Sequence, residues 1–300
     1  VYGGWHLLAF TSELEDAVTP VRVAGRRLML VRRDDEIVAF DAVCPHRGAD
    51  LGHGGRLDGD VVVCPFHGHR IQLDGDGSAR YCVRGYRTHE IGGSVFVLFD
   101  EEQERGFTAF LERYAESHWF VPGFTLPAPV PPQYVIENVF DMDHFTTVHG
   151  VHRRPVLRGT AAERGDLRVE AIFSTDGANR WQHGSERADG AVETRFCAHV
   201  FSPTLVATEL GDEDRAHIVI TGATATADGG SVIRVALVVA GEGETPPDRR
   251  MVLQLMRDSH KAFAQDMEIW RHLSIDAPAR YAPGDDVVVD YHRFCGAFAS

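Results

Sequence analysis

The sequence contains no apolar run near the roughly 18–20 residues that a membrane-spanning helix needs. Its most hydrophobic stretches, such as Val235–Ala240, are only of strand length. Positive charge is also scarce. Lys and Arg number 30 against 44 Asp and Glu, a formal net charge of −14. That balance argues against a nucleic-acid partner, because phosphate binding needs a basic surface. A disulfide framework is missing too: the five cysteines are an odd number and are not spaced as one. Cys82, Cys197 and Cys295 stand singly and read as free thiols in a reducing compartment, so a cytoplasmic protein is expected. Neither an internal repeat nor a low-complexity tract is found. The chain is 44% hydrophobic and 25% charged, the make-up of a soluble globular protein. No signal peptide opens it, and a start at Val1 rather than Met predicts a few residues upstream.

What is present is organised in two parts. The first hundred residues predict short strands at Val21–Val23, Leu28–Arg32, Ile37–Asp41, Val61–Cys64 and Val95–Phe99. Turns at Ala24–Gly25, Asp34–Asp35, Asp58–Gly59 and Asp74–Gly77 separate them. A helix is predicted over Glu101–Glu116, with Phe107, Phe110, Leu111 and Tyr114 on one side. The proline-rich stretch Pro122–Pro132 reads as a connector between domains. Further strands follow at Leu167–Phe173, Val192–Phe201, Leu205–Leu210, His217–Thr224 and Val232–Val239, and a long helix runs from about Asp248 to Leu273. The expected fold class is α+β: a small all-β domain followed by an antiparallel sheet with helices.

Cys44-Pro45-His46 and Cys64-Pro65-Phe66-His67 form a C-x-H limb and a C-x-x-H limb, seventeen residues apart. Two thiolates and two imidazoles suit a tetrahedral zinc or an iron–sulfur cluster. Zinc ribbons usually carry C-x-x-C or H-x-x-H pairs, whereas each limb here supplies one residue of each kind. That pairing fits a [2Fe–2S] cluster with Cys44 and Cys64 on one iron and His46 and His67 on the other. The motif resembles that of Rieske proteins. Gly48, Ala49, Asp50 and Phe66 stand where respiratory-chain members add cysteines, so the chain is similar to the oxygenase branch. His69 stands where a tryptophan often follows the second loop in that branch; it either tunes the cluster or faces solvent.

Glu137-Asn138 … Asp141 … His144 … His149 resembles the iron-binding segment E-N-x-x-D-x-x-H-x4-H of Rieske non-haem iron oxygenases at every specified position. Two imidazoles and a carboxylate make a facial triad that leaves iron positions open. His144 and His149 are five apart, which on an ideal helix points them about 140° apart. Both reach one iron only if the helix ends or bulges between them, and Gly150 permits that end. By contrast Asn138, Asp141 and His144 recur every third residue and would share a helical face. An incidental surface histidine is the other reading of His149. For the carboxylate, Asp266 and Glu268 compete on the closing helix. Asp266 shares a stripe with Ala262, Phe263, Ile269, Trp270 and Leu273, which is apolar, while Glu268 sits among polar neighbours. A buried carboxylate needs a counter-charge, which points to Asp266 and iron, with a core arginine as the alternative partner.

The resemblance implies more than the residues do. It implies a Rieske domain over residues 1–116 and a helix-grip catalytic domain holding a mononuclear Fe(II) over 117–300. Electrons would come from NAD(P)H through a separate ferredoxin or flavin reductase and serve to activate dioxygen. Asp141, grouped with Asn138 as catalytic, would bridge His67 of one subunit to His144 of the next, within a homotrimer. The short chain, the Met142–Phe145 neighbourhood and the run Tyr291–Cys295 resemble the 3-ketosteroid hydroxylase and sterol desaturase group, implying a bulky apolar substrate such as a steroid or polycyclic natural product. Phe140, Phe145, Val148, Leu205, Phe263 and Met267 are candidate pocket residues, with core packing the other reading. Other possible functions are an aromatic-ring hydroxylase, an electron carrier, and a binding protein that has lost catalysis.

Overall fold

The computed structural model describes residues 1–75, 77, 80–161, 166–176, 185–186, 191–211, 216–241, 243 and 245–298. The turn expected at Asp74–Gly77 includes Asp76, which lies outside the described residues. The other expected strands and turns of the first hundred residues form. Val18–Val23, Arg26–Arg33 and Glu36–Asp41 pair as an antiparallel meander, joined through Cys82–Ile91 to Arg70–Gly75, Val61–Val63 and Arg56–Asp58. Trp5–Phe10 pairs with Ser94–Leu98, which in turn pairs with the second half of Cys82–Ile91, from Arg87 onward. Ala24 (φ 48°) and Gly25 (φ 82°) turn the first hairpin in left-handed backbone conformations.

The helix predicted over Glu101–Glu116 is shorter. Glu101–Gln103 is a single 3-10 turn, and helix α1 covers only Phe107–Ala115. Arg105 (φ 56°) and Gly106 (φ 78°) lie in left-handed backbone between them, which no continuous helix can include. The proline-rich connector is also not found. Pro122 and Pro127 belong to the strand His118–Ala128, which pairs with Ser231–Ala240 at the edge of the second sheet. An edge strand tolerates proline because half its backbone groups need no partner strand, and a register shift at Pro122/Phe124 absorbs the first one.

The second sheet is antiparallel and runs in the order His118–Ala128, Ser231–Ala240, His217–Ala225, Leu205–Leu210, Ala191–Ser202, Leu167–Asp176, Val156–Ala161. Alternation along its strands gives it two apolar faces. Phe201, Leu205, Ala207, Ile218, Ile220, Ala236 and Val238 meet Trp5, Leu7, Phe96 and α1, so one core joins the two parts of the chain. The opposite face carries helices α2 (Pro132–Glu137), α3 (His144–Thr147), α4 (Arg249–Trp270) and α5 (Asp286–Gly296). The predicted long helix is α4, with the Asp248 side chain accepting from Arg250 N at 2.8 Å to cap it. Helix α5 was not anticipated. Val287–Val289 is β-branched and favours strand locally, but Val287, Val288 and the wholly buried Tyr291 pack on the sheet and override that preference.

Candidate functional site

Helix α2 ends at Glu137, and the chain turns before starting α3. The Asp141 carboxylate causes the break: Oδ1 accepts from the backbone N of Asp143 at 3.0 Å and of His144 at 3.3 Å. The continuous helical face expected for Asn138, Asp141 and His144 therefore does not form. Helix α3 then closes at once, with Val148 N and His149 N both directed at the His144 carbonyl (2.7 and 3.4 Å) and Gly150 at φ 68°. That early end brings the two imidazoles together, ring centroids 4.9 Å apart.

Helix α4 supplies the third group. Asp266 Oδ1 lies 3.3 Å from His149 Nε2. Ligand atoms of His144, His149 and Asp266 all fall within 4.8 Å of one another, close enough to hold one metal ion. Glu268 points away, 68% exposed and paired with Arg271. The apolar stripe expected around Asp266 is narrower than its spacing suggests. Met267 and Trp270 are buried, but Ile269 is exposed because α4 touches the sheet along less of its circumference, and Leu273 is exposed past the end of the helix.

The electrostatics suit a bound cation. Burial pushes the Asp266 carboxyl up to about 6, against the pull of His149 and a hydrogen bond with Asn138. Burial also pushes the His144 imidazole down to about 4, leaving it neutral and able to coordinate. A buried carboxylate beside two imidazoles without a cation is costly, and a divalent metal removes that cost. Asp141 meets His144 through the backbone as well, its carbonyl oxygen lying against Nδ1 at 2.5 Å. His149 Nδ1 faces Gln265 Oε1 at 3.2 Å.

Aromatic rings wall this group. Phe145 lies against His144 (4.1 Å), Phe173 (4.7 Å) and Phe196 (5.8 Å). Gln265, Phe173 and Phe196 were not anticipated. Gln265 had one signal, its place beside Asp266; the two phenylalanines had none without the strand register. Among the anticipated pocket residues, Leu205 belongs to the opposite face of the sheet, and Phe140 is core, stacked on Tyr291 at 4.8 Å.

At the far tip of the first sheet, the two Cys/His limbs form matching loops. Gly48 N donates to Cys44 O (2.9 Å) and Cys44 N to Ala49 O (2.8 Å). In the second loop Gly68 N donates to Cys64 O (3.0 Å) and Cys64 N to His69 O (2.8 Å). Gly48 and Gly68 take φ 74° and 70°, which few other residues adopt readily. The two buried thiols meet, and the His46 and His67 rings lie 4.8 Å apart. His46 Nδ1 is buried with no hydrogen-bond partner. Paired thiols, paired imidazoles and an orphaned ring nitrogen fit a [2Fe–2S] cluster. His69 is half-buried rather than facing solvent: it stacks on Tyr81 at 5.1 Å and meets His46 edge-on at 4.4 Å.

Known families match both parts of the chain. The Rieske [2Fe-2S] domain family matches residues 4–105, and the 3-Ketosteroid 9alpha-hydroxylase C-terminal domain family matches residues 102–293. The chain belongs to the Rieske non-haem iron oxygenases. The second match spans more than half of this oxygenase. It is 24% identical over 310 residues to the oxygenase component of 3-ketosteroid-9-alpha-monooxygenase of Rhodococcus rhodochrous, covering 92% of this chain and 74% of that one. It is 28% identical over 186 residues to cholesterol 7-desaturase nvd of Drosophila melanogaster, covering 55% of this chain and 41% of that one, so it spans less than half of that relative. Its fold is similar to that of Pseudomonas putida CBB5 NdmB, with a TM-score of 0.71 and 17% identity, covering 97% and 89% of the two chains. The oxygenase is thus an oxidoreductase with a Rieske cluster and a mononuclear iron, and its family draws electrons from NAD(P)H through a separate reductase or ferredoxin. Among the described residues no helix is long and apolar enough to cross a membrane.

Proposed function

We propose that His144, His149 and Asp266 are the protein ligands of the mononuclear iron, and that the oxygenase oxidises a bulky apolar substrate of the steroid type. The observation that carries this is the convergence of three ligand atoms within 4.8 Å beside the Phe145, Phe173 and Phe196 rings. Cys44 and Cys64 hold one iron of the cluster, and His46 and His67 hold the other. Residues 1–116 form the cluster domain and residues 117–300 the catalytic domain.

When bound, the cluster supplies electrons and the mononuclear iron activates dioxygen. The protein's own contribution is position and shielding. The Asn138 amide orients the Asp266 carboxylate, and Gln265 holds His149 in the tautomer that leaves Nε2 free for metal. The three phenylalanines exclude water and offer an apolar surface to the substrate. A steroid is favoured over a small polar molecule by that wall and by the similarity to 3-ketosteroid-9-alpha-monooxygenase.

Asp141 links the two metal centres between subunits. His67 is exposed at the domain tip beside Phe66, which is 61% exposed, and Asp141 is accessible next to His144. Contact between His67 of one protomer and Asp141 of its neighbour is heterologous, and such contacts close into rings, most simply a trimer. The five cysteines are buried and none is in a disulfide, which supports a cytoplasmic location. The electron donor is a ferredoxin or flavin reductase.

The test is anaerobic purification followed by iron and acid-labile sulfide analysis with EPR of the reduced protein. Two irons with sulfide and one chelator-removable iron per chain, together with reductase-dependent oxygenation of a 3-ketosteroid, support the reading. A sulfide-free zinc protein would overturn it, and a protein that oxygenates only small polar compounds would overturn the substrate class.

A further inference from the structure

A second group with metal-binding chemistry lies on the other face of the catalytic sheet, under α1. Cys197 and His199 are alternate residues of the strand Ala191–Ser202, so both point to the same side. Glu209 sits directly opposite Cys197 on the neighbouring strand. Cys197 is 0% exposed, and His199 and Glu209 are each 6% exposed. Their ligand atoms all lie within 4.8 Å of one another, with Cys197 Sγ 3.4 Å and Glu209 Oε1 3.5 Å from His199 Nε2. We propose that Cys197, His199 and Glu209 form a second metal site, selective for zinc.

Spacing is the first argument. Zinc bonds of about 2.3 Å to thiolate and about 2.0–2.2 Å to imidazole or carboxylate set tetrahedral ligand–ligand edges of about 3.3–3.6 Å. The two edges at His199 Nε2 match those values. The arrangement behind the ligands is the second. Asp166 Oδ2, itself buried, lies 3.4 Å from His199 Nδ1, so a proton there leaves Nε2 as the coordinating nitrogen. A carboxylate behind a histidine in this way orients the ring and strengthens it as a ligand. The Glu209 carboxylate is held as well. Tyr114 of α1 donates to Oε1 at 2.5 Å, while Arg195 lies 3.6 Å from Oε2 and Arg113 lies 4.0 Å from Oε1.

The donor set decides the metal. One thiolate, one imidazole and one carboxylate suit zinc, and thiolate selects against magnesium and calcium. The site has its back to the catalytic face: Ala198 and Val200 point to that face from the same strand, and Phe110 and Phe201 flank the His199 ring here at 5.1 and 6.3 Å. A metal there joins two sheet strands and, through Tyr114, ties α1 to them.

X-ray absorption at the zinc edge tests this on holoenzyme prepared with zinc and fully loaded with iron. The expected result is one zinc per chain with a single sulfur neighbour at about 2.3 Å and lighter atoms at about 2.0 Å. The number of sulfurs separates the sites: zinc in the His144–His149–Asp266 group shows none, and zinc in the emptied cluster site shows two. Either of those spectra, or no retained zinc, overturns the proposal; the last leaves a His199 imidazolium paired with Asp166 and Glu209. Cys197→Ser should lose the one-sulfur signal and His144→Ala should keep it. If Cys197→Ser does not fold, the spectrum of the unaltered protein still decides.

Discussion

His149 turns its Nδ1 to the Gln265 side-chain oxygen at 3.2 Å, across 116 positions of sequence. Its other ring nitrogen faces Asp266, the residue next to Gln265 on α4. One imidazole thus meets two adjacent side chains of the helix, one through each ring nitrogen. Gln265→Leu should weaken iron binding by about 10–100-fold, the usual cost of losing such a support. Gln265→Glu keeps the acceptor and should largely restore affinity. Chelator competition for the removable iron measures both, and an unchanged affinity in Gln265→Leu would remove the orienting role.

Asp266→Ala should lose the removable iron entirely while the EPR signal of the reduced cluster persists. Glu268→Ala, on the exposed side of the same helix, should change neither. Loss of iron in the Glu268 variant instead would reverse the assignment of the third ligand.

His6 makes stability depend on pH. It is buried, its Nε2 donates to the Tyr2 carbonyl at 3.1 Å, and its edge meets Phe99 at 4.9 Å. Burial pushes its pKa down to about 4. An unfolded histidine takes its proton near 6.5. Between those values the unfolded chain binds more protons, so stability falls as pH drops from about 6.5 to about 4. The full loss from this group is about 3 kcal/mol. His6→Gln keeps the donor and removes the titration. Denaturant unfolding of the two proteins at several pH values should diverge below pH 6.5 and run parallel above it.

Gly222 lies where the strand His217–Ala225 meets Trp5–Phe10, and a Cβ there would collide with Leu7. Gly222→Ala should destabilise the protein by about 1–3 kcal/mol, the cost of overpacking a close contact. The change should appear as one shifted transition, because the core at that point belongs to both sheets. Two separate transitions in the variant would mean that the sheets unfold independently.

Local chemistry carried much of this protein in its sequence. The Cys/His limbs and the E-N-x-x-D-x-x-H-x4-H run stand out in the sequence because ligand type and spacing depend on near neighbours. Five strands in each sheet and α4 were legible for the same reason, through hydrophobic period and capping, whereas Trp5–Phe10, Arg70–Gly75, Cys82–Ile91, His118–Ala128 and Val156–Ala161 were not read as strands. Other features depended on residues far apart in the chain. Pro122 and Pro127 read as a connector until the sheet order put them on an edge strand. Asp266 and Glu268 were separated by a helical stripe, but only packing showed which one is buried, since Ile269 and Leu273 on the same stripe are exposed. Gln265, Phe173 and Phe196 reached the group of His144, His149 and Asp266, and Cys197 came to face Glu209, through strand register and helix docking. Those contacts arise when distant apolar faces are buried together, and spacing along a single segment carries no record of them.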